Sequence, residues 1–365
     1  MNPLSPEDLA AAAANVFDAV IGRGLADLRP TPAAIIEEAP QRTIFRYLRS
    51  DDLPARAMPV LLVPPLAVST VCFDLRRGCS LAEHLIALGH ETYLIDYGAI
   101  GFSDRELGLE HWVQEVIPAA VERVSEDAGR PVALVGWCLG GIMSLLAAAA
   151  SPEAAIKLVA MVASPFDFAR VRLMAPIRPL ANITNGVLGT VLYRALGGAP
   201  APLVKRGFQL ASLDKYLTKP LAVLTHLEDR EFLAQMEAVD RFIDTMVAYP
   251  GRSFGQLYHR FFRVNELAGG RLTLGRQRPI DLGDVGVPVL SIAGSRDTLA
   301  PRPAVHHVGE LLPNAPDVRL ETAPGGHLGV LTGRHAADTT WAHLDDFLLD
   351  HGAPRDGSGL RALAG

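Results

Sequence analysis

Short, nearly continuous apolar runs punctuate the chain. They are Pro59-Val60-Leu61-Leu62-Val63, Glu91-Thr92-Tyr93-Leu94-Ile95-Asp96, Val132-Ala133-Leu134-Val135, Leu158-Val159-Ala160-Met161-Val162-Ala163 and Val287-Pro288-Val289-Leu290-Ser291-Ile292-Ala293. Apolar positions without alternation describe strands covered on both faces. Thr43 to Leu48 alternates instead and reads as an edge strand, and Val318-Arg319-Leu320-Glu321 as a further strand. Helical patterns fill the gaps. Leu81 to Leu88 is closed by Gly89, and Thr339 to Leu349 forms a closing helix. His111 to Glu126 is a helix in which Pro118, lacking an N–H, should kink or locally break the winding. At the N-terminus Ser5 is a helix cap, with Pro6 at the first position and Glu7 and Asp8 in the first turn. Leu9, Val16, Phe17, Val20 and Ile21 then give an apolar stripe ending at Gly22 or Gly24.

Buried strands alternating with helices predict an α/β protein with a mainly parallel sheet covered on both faces. The rhythm breaks after Ala163. Residues 164–287 carry helical patterns such as Asp229 to Val247, with loop signals at Gly186, Gly197-Gly198 and Pro250-Gly251, and little strand character. The expected organisation is an N-terminal helix and edge strand over 1–50, a core in two parts over 51–163 and 288–350, a helical cap inserted at 164–287, and a disordered tail over 351–365.

Composition narrows the picture. The 365 residues are 49% hydrophobic and 20% charged, enough for a large core. The net charge is -6, and the absence of a basic stripe argues against a nucleic-acid partner. Cys72, Cys79 and Cys138 are an odd, sparse set that suits a reducing compartment better than a disulfide framework. The N-terminus lacks a basic region, and no apolar run reaches about 18 residues, so neither a signal peptide nor a transmembrane segment is expected. A cytoplasmic protein is expected.

The chemistry concentrates where the Val132–Val135 run ends in Gly136-Trp137-Cys138-Leu139-Gly140-Gly141, followed by an alanine-rich helix. Strand, sharp turn and helix with small residues two before and two after Cys138 make a nucleophile elbow, G-x-C-x-G, of the α/β-hydrolase fold. Such a turn lifts the side chain above the sheet and points helix N–H groups at whatever it attacks. A cysteine nucleophile needs a base, and the base an orienting acid. In this fold they follow the nucleophile in chain order. Asp297, after the Val287–Ala293 run, and His327, after Gly325-Gly326, lie at strand ends on the same rim. The candidate triad is therefore Cys138, Asp297 and His327. The candidate oxyanion hole combines the backbone N–H of Leu139 with one from the loop after Val63, at Leu66 or Ala67, because Pro64 and Pro65 cannot donate. Cys72 and Cys79 read as small core residues, His306 and His307 as residues of a surface helix. No Cys/His spacing resembles a zinc site and no dinucleotide or P-loop motif follows a strand, so no metal or cofactor is expected.

With these residues in view, the chain resembles the polyhydroxyalkanoate synthases, most closely the short catalytic subunits of the two-component type. The resemblance runs from about residue 30 to 348. It is carried by Leu61-Leu62-Val63-Pro64-Pro65, Phe73-Asp74-Leu75, Tyr93-Leu94-Ile95-Asp96-Tyr97-Gly98, the elbow with Gly141, and Ser164-Pro165-Phe166-Asp167-Phe168. Leu257 to Phe262 with Asn265 and Leu267, Asp297, and Gly325-Gly326-His327 complete it. The elbow alone is also similar to that of dienelactone hydrolases, which are shorter and lack such a cap. Two positions depart from the family's usual pattern: Val68 stands where an Asn is usual and Tyr97 where a Trp is usual. The resemblance implies an (R)-3-hydroxyacyl-CoA substrate, polymerised through an acyl-Cys138 thioester with release of CoA. It admits a homodimer, an accessory synthase subunit and a place at the surface of polymer granules. A hydrolase with the same triad (esterase, thioesterase or depolymerase) is the alternative enzyme, and an inert granule-associated scaffold the non-enzymatic one.

Overall fold

A computed structural model describes residues 5–22, 24–49, 58–171, 198–211, 213–275 and 278–352, without the side chains of 208 and 210–218. The sheet at its centre has strands β1 (Ala33–Ala39), β2 (Arg42–Tyr47), β3 (Val60–Val63), β4 (Thr92–Asp96), β5 (Val132–Trp137), β6 (Ile156–Val162), β7 (Val289–Gly294) and β8 (Val318–Ala323). Their spatial order is β1-β2-β4-β3-β5-β6-β7-β8. From β4 onward every pairing is parallel, whereas β1 with β2 and β2 with β4 are antiparallel. The order reverses around β3 and β5, so the loops after these two strands open into one crevice, the place where such sheets bind ligands. This is the α/β-hydrolase fold.

One strand expectation is corrected. The Thr43–Leu48 segment is not the edge, because β1 pairs along its outer side. Strand β1 reads Ala-Ala-Ile-Ile-Glu-Glu-Ala, and alanine and glutamate are poor strand formers, so nothing local announces it. It forms because a tight turn, with Gln41 at φ 51°, folds it back on β2.

Helices cover both faces. We label them α1 (Pro6–Val20), α2 (Leu81–Ala87), α3 (Ile117–Ala128), α4 (Leu139–Ala150), α5 (Ala201–Ala211), α6 (Leu213–Thr225), α7 (Arg230–Asp244) and α8 (Ala342–Gly352). Helix α4 is buried from Leu139 through Ala149, which explains its apolar, alanine-rich sequence: no face meets water. Pro118 acts as expected. It cannot donate to the carbonyl one turn back, and the winding before it, Trp112–Val116, loosens into a π-helical turn. That turn buries Trp112, whose indole N–H donates to Ser253 Oγ at 3.2 Å.

Helix α1 starts as its sequence indicates. The Ser5 side chain accepts from the Asp8 N–H, and Asp8 returns the bond to the Ser5 N–H. Its apolar stripe, however, faces outward: Leu9, Val16, Phe17, Val20 and Ile21 are exposed, and Ala12 and Asn15 are the buried residues. The helix is held by polar contacts instead. Asn15 Nδ2 donates to the carbonyls of Leu227 and Glu228, and Arg230 pairs with Asp18. Just beyond α1, the Glu237 carboxylate accepts the N–H groups of Leu25 and Ala26. The N-terminal segment is thus a strap across α7.

Between β6 and β7 the described chain is mostly helical, with a two-stranded ladder of Gly198–Ala199 on Tyr249–Pro250 and another of Arg271–Leu272 on Ile280–Asp281. The loop signals at Gly186 and Gly197 and the tail from residue 353 onward lie outside the described residues, and α8 continues through residues 351 and 352. The first residues of this insertion are latched to its later part by Asn265. In a left-handed conformation at φ 59°, it donates from Nδ2 to Asp167 Oδ1 at 2.9 Å and accepts the Phe168 N–H on Oδ1 at 2.8 Å. Replacing Asn265 by Ala leaves the Phe168 N–H without its acceptor, takes one of several donors from Asp167, and puts a less tolerant residue at positive φ. Urea unfolding should show a loss of about 2 kcal/mol, and a variant as stable as the parent would remove the latch.

Candidate active site

Strand β5 ends at Trp137 and helix α4 begins at Leu139, so Cys138 alone makes the turn. Its backbone sits at φ 53°, ψ -121°, a region that a non-glycine residue occupies only when its surroundings force it. The surroundings here are backbone. A Cβ on Gly136 would stand 2.4 Å from the Gly141 nitrogen, and one on Gly140 would stand 2.1 Å from the Val63 carbonyl oxygen. Any side chain at either position would push strand and helix apart and relax the turn. The Cys138 N–H is anchored to the Val162 carbonyl at 2.8 Å, and its side chain is half-buried.

The three residues picked from the sequence meet at this point. Asp297 is buried, and its Oδ1 accepts the N–H groups of Leu299 and Ala300, each at 2.8 Å. Its Oδ2 lies 2.8 Å from His327 Nδ1, leaving the imidazole free to hydrogen-bond Cys138 as well. Burial by itself would lower the imidazole, since it penalises the charged ring. The charges of Asp297 and then Cys138, with hydrogen bonds to both, outweigh it and raise His327 to about 10. The raised value favours the protonated ring at neutral pH. The His327 loop is tied to the Asp297 loop through its backbone: Arg296 N–H donates to the Gly325 carbonyl at 2.9 Å.

Trp137 was missed by sequence reasoning. It is buried, its ring lies 5.1 Å from that of His327, and its indole N–H donates to the His327 carbonyl at 3.1 Å. A large aromatic with one donor, placed just before the nucleophile, was the available signal. Tyr249 was missed too. It lies in the short ladder of the insertion, and burial, followed by the nearby charge of Cys138, pushes its hydroxyl up. No local motif marks it, since only the fold brings residue 249 near residue 138.

Of the candidate oxyanion groups, one belongs to the elbow itself and the other to a loop whose start, at Val63 and Pro64, lies against Gly140. Leu139 is the first residue of α4, so its N–H has no acceptor within the helix. Ala67 is buried and left-handed, at φ 63°. Among the described residues nothing accepts its N–H. A buried donor without an acceptor is rare enough to need a reason. Tyr97, one of the departures from the family pattern, donates from its hydroxyl to the Pro64 carbonyl at 3.1 Å at the start of this loop. Val68, the other, is buried and brings no polar side chain.

The remaining cysteines sit in the core, as expected. Cys72 and Cys79 are buried, Cys79 donates to the Thr332 carbonyl, and burial pushes both thiols up. His306 and His307 are half-buried rather than simple surface residues, hydrogen-bonded to the carbonyls of Glu321 and Ala268. Among the described residues no group of His, Cys, Asp and Glu could hold a metal ion, and no helix is long and apolar enough to cross a membrane.

No protein-family model matches the chain. Among curated proteins it is similar to the poly(3-hydroxyalkanoate) polymerase subunit PhaC of Allochromatium vinosum, 28% identical over 86% of this chain and 87% of that protein. The subunit of Synechocystis is 27% identical over 82% of this chain and 79% of its own length. That of Haloferax mediterranei is 27% identical over 80% of this chain but only 59% of itself, so this chain spans little more than half of that longer relative. The resemblance read from the motifs thus extends over most of the chain. Among solved structures, a putative non-heme bromoperoxidase BpoC of Mycobacterium tuberculosis superposes with a TM-score of 0.51 at 16% identity, covering 87% of this chain and 97% of that one. DcsB, solved with a substrate analogue, gives 0.54 at 16% identity, covering 88% and 99%. Both support the fold.

The buried imidazolium sets a pH dependence. Its folded value, about 10, lies above the unfolded value of 6.5. The stability it contributes is therefore complete below the unfolded value and is lost as pH rises through the folded one. Urea unfolding across that window should show the parent losing stability relative to His327→Gln as pH climbs. A difference that stays constant would contradict the paired imidazolium.

Proposed function

We propose that this protein is an acyltransferase that joins (R)-3-hydroxyacyl units from CoA thioesters into a polyester, releasing CoA, through a thioester on Cys138. The observation that carries the reading is a cysteine, rather than a serine, at an elbow close to a hydrogen-bonded His327–Asp297 pair, in a chain similar to polymerase subunits over most of its length. Sulfur suits the task. Transfer from CoA to Cys138 exchanges one thioester for another at little change in free energy, so the acyl group stays reactive toward the next hydroxyl. A serine ester would lie lower and resist onward transfer.

The geometry supports a role for each group. His327 and Asp297 maintain the thiolate, and the Cys138 sulfur attacks the thioester carbonyl. The N–H groups of Leu139 and Ala67 face the oxygen that becomes negative. The CoA sulfur leaves with the His327 proton. The ring then accepts the proton of the hydroxyl that attacks the acyl-Cys138 carbonyl, the new ester forms, and the thiolate returns. Asp297, with Oδ1 held by two N–H groups, keeps the imidazole oriented throughout. Water must be kept away from the acyl-enzyme, a task suited to the insertion above the crevice.

Purified protein given 3-hydroxybutyryl-CoA should release CoA and accumulate polymer together. CoA release with free 3-hydroxybutyrate and no polymer would identify a hydrolase using the same residues. Cys138→Ala should abolish CoA release while leaving the fold intact, whereas Cys72→Ala and Cys79→Ala should leave the chemistry in place. Release persisting in a folded Cys138→Ala variant would sink the nucleophile assignment. His327→Gln should slow acylation at neutral pH by about a hundredfold or more. Its rate should then climb with pH as an unassisted thiol ionises, its free value being about 8.5.

A further inference from the structure

Ala67 holds the donor that completes the proposed oxyanion hole, yet its conformation is costly for a residue with a Cβ. Something must hold it there. The loop's own side chains offer little, since Pro64, Pro65, Leu66 and Val68 have no side-chain hydrogen bond to give. The hold comes from the insertion, at the C-terminal end of α7. The Val247 N–H donates to the Ala67 carbonyl at 3.1 Å, and two residues further along the loop Ser69 Oγ lies 2.7 Å from Thr245 Oγ1. The direction of the second bond follows from the first turn beyond α7. The Thr245 hydroxyl proton goes to the Phe242 carbonyl at 2.9 Å, so Ser69 is the donor to Thr245. Ser69, Thr245 and Phe242 form a directed chain of hydrogen bonds ending on the last turn of α7.

The same helix reaches the other side of the site. Phe242 packs edge-on against Trp137, ring centres 6.0 Å apart, and Trp137 holds the His327 carbonyl. Helix α7 is itself fixed to the core, since Gln235 donates to the Thr332 carbonyl at 2.8 Å and accepts from Arg76 at 3.0 Å.

The geometry points to Ser69 and Thr245 as positioning residues for the oxyanion-binding N–H of Ala67. Together with the Val247 N–H they clamp the carbonyl side of the left-handed turn. With the carbonyl side clamped, the plane of the peptide turn, and with it the direction of the Ala67 N–H, is fixed. The clamp places no group on the substrate; it acts through Ala67. The inference rests on the acyl-transfer reading of Cys138, since it concerns stabilisation of a carbonyl oxygen as the sulfur adds.

Two reactions of one thiol test it. Acylation of Cys138 by p-nitrophenyl butyrate passes through an oxyanion; alkylation by iodoacetamide does not. Thr245→Val, close in shape but without the hydroxyl, and Ser69→Ala should each slow single-turnover acylation about tenfold, less than loss of a donor outright. Alkylation, followed by the mass of the labelled Cys138 peptide, should be unchanged. Thr245→Ser keeps the hydroxyl and should restore most of the acylation rate. Acylation unchanged in all variants, or acylation and alkylation falling together, would overturn the proposal, the second outcome marking a general disturbance of the elbow. Should Thr245→Val fail to fold, Ser69→Ala, on the core side of the bond, carries the same test. A parent acylated by the ester that releases no CoA from 3-hydroxybutyryl-CoA would overturn the synthase reading and leave the clamp to be judged by the variants. A parent that is alkylated but acylated by neither reagent would overturn both.

Discussion

The close passage of two backbones at the end of β5 is the constraint from which the site follows. With Gly140 against the Val63 carbonyl and Gly136 against Gly141, helix α4 can start immediately after the strand. Cys138 is then the one residue left to reverse the chain, and it does so in a strained conformation. The strain has a chemical use. It sets Cys138 between strand and helix and leaves the first N–H of a buried helix with no acceptor inside the helix, which is what the proposed acyl transfer needs. The same approach brings Val63 and Pro64, at the start of the loop after β3, against the first turn of α4.

Electrostatics then depends on burial. Asp297 is out of water, and among the described residues its ion-pair partner is the His327 ring. In a low dielectric such a pair interacts strongly, and leaving one member alone would cost more than the pair does. Two N–H groups on Oδ1 and the imidazole on Oδ2 satisfy the carboxylate, so it orients the ring and favours its charged form. Trp137 adds the mechanical counterpart by holding the backbone of His327 from the side of the elbow.

The segment between β6 and β7 reaches both sides of the site. Helix α7 touches the His327 side through Phe242 and Trp137, and the Ala67 side through Thr245 and Val247. The N-terminal strap in turn holds α7 through Glu237 and Arg230. Segments far apart in sequence thus converge on one helix, and the geometry of the crevice depends on where that helix lies. The exposed apolar stripe of α1 follows from the same arrangement: the strap grips α7 by polar bonds to carbonyls and carboxylates, and its apolar side is left over.

The local pattern of the chain determined much of this protein. Buried parallel strands were legible because a strand covered on both faces is apolar at every position, and the elbow because a sharp strand-to-helix turn needs glycines at fixed offsets. Asp297 and His327 were legible because each follows a strand on the same rim. What the tertiary structure alone decided has no local signature. Strand β1 exists because a turn folds weak strand formers onto β2. The stripe of α1 faces outward because Asn15 and the strap, rather than apolar burial, dock the helix. Trp137, Tyr249, Ser69 and Thr245 take their places at the site from contacts across as many as 190 residues of sequence. Periodicity and turn chemistry report what a residue does to its neighbours in the chain; they carry no information about hydrogen bonds and ring contacts that close only when the insertion folds back over the sheet.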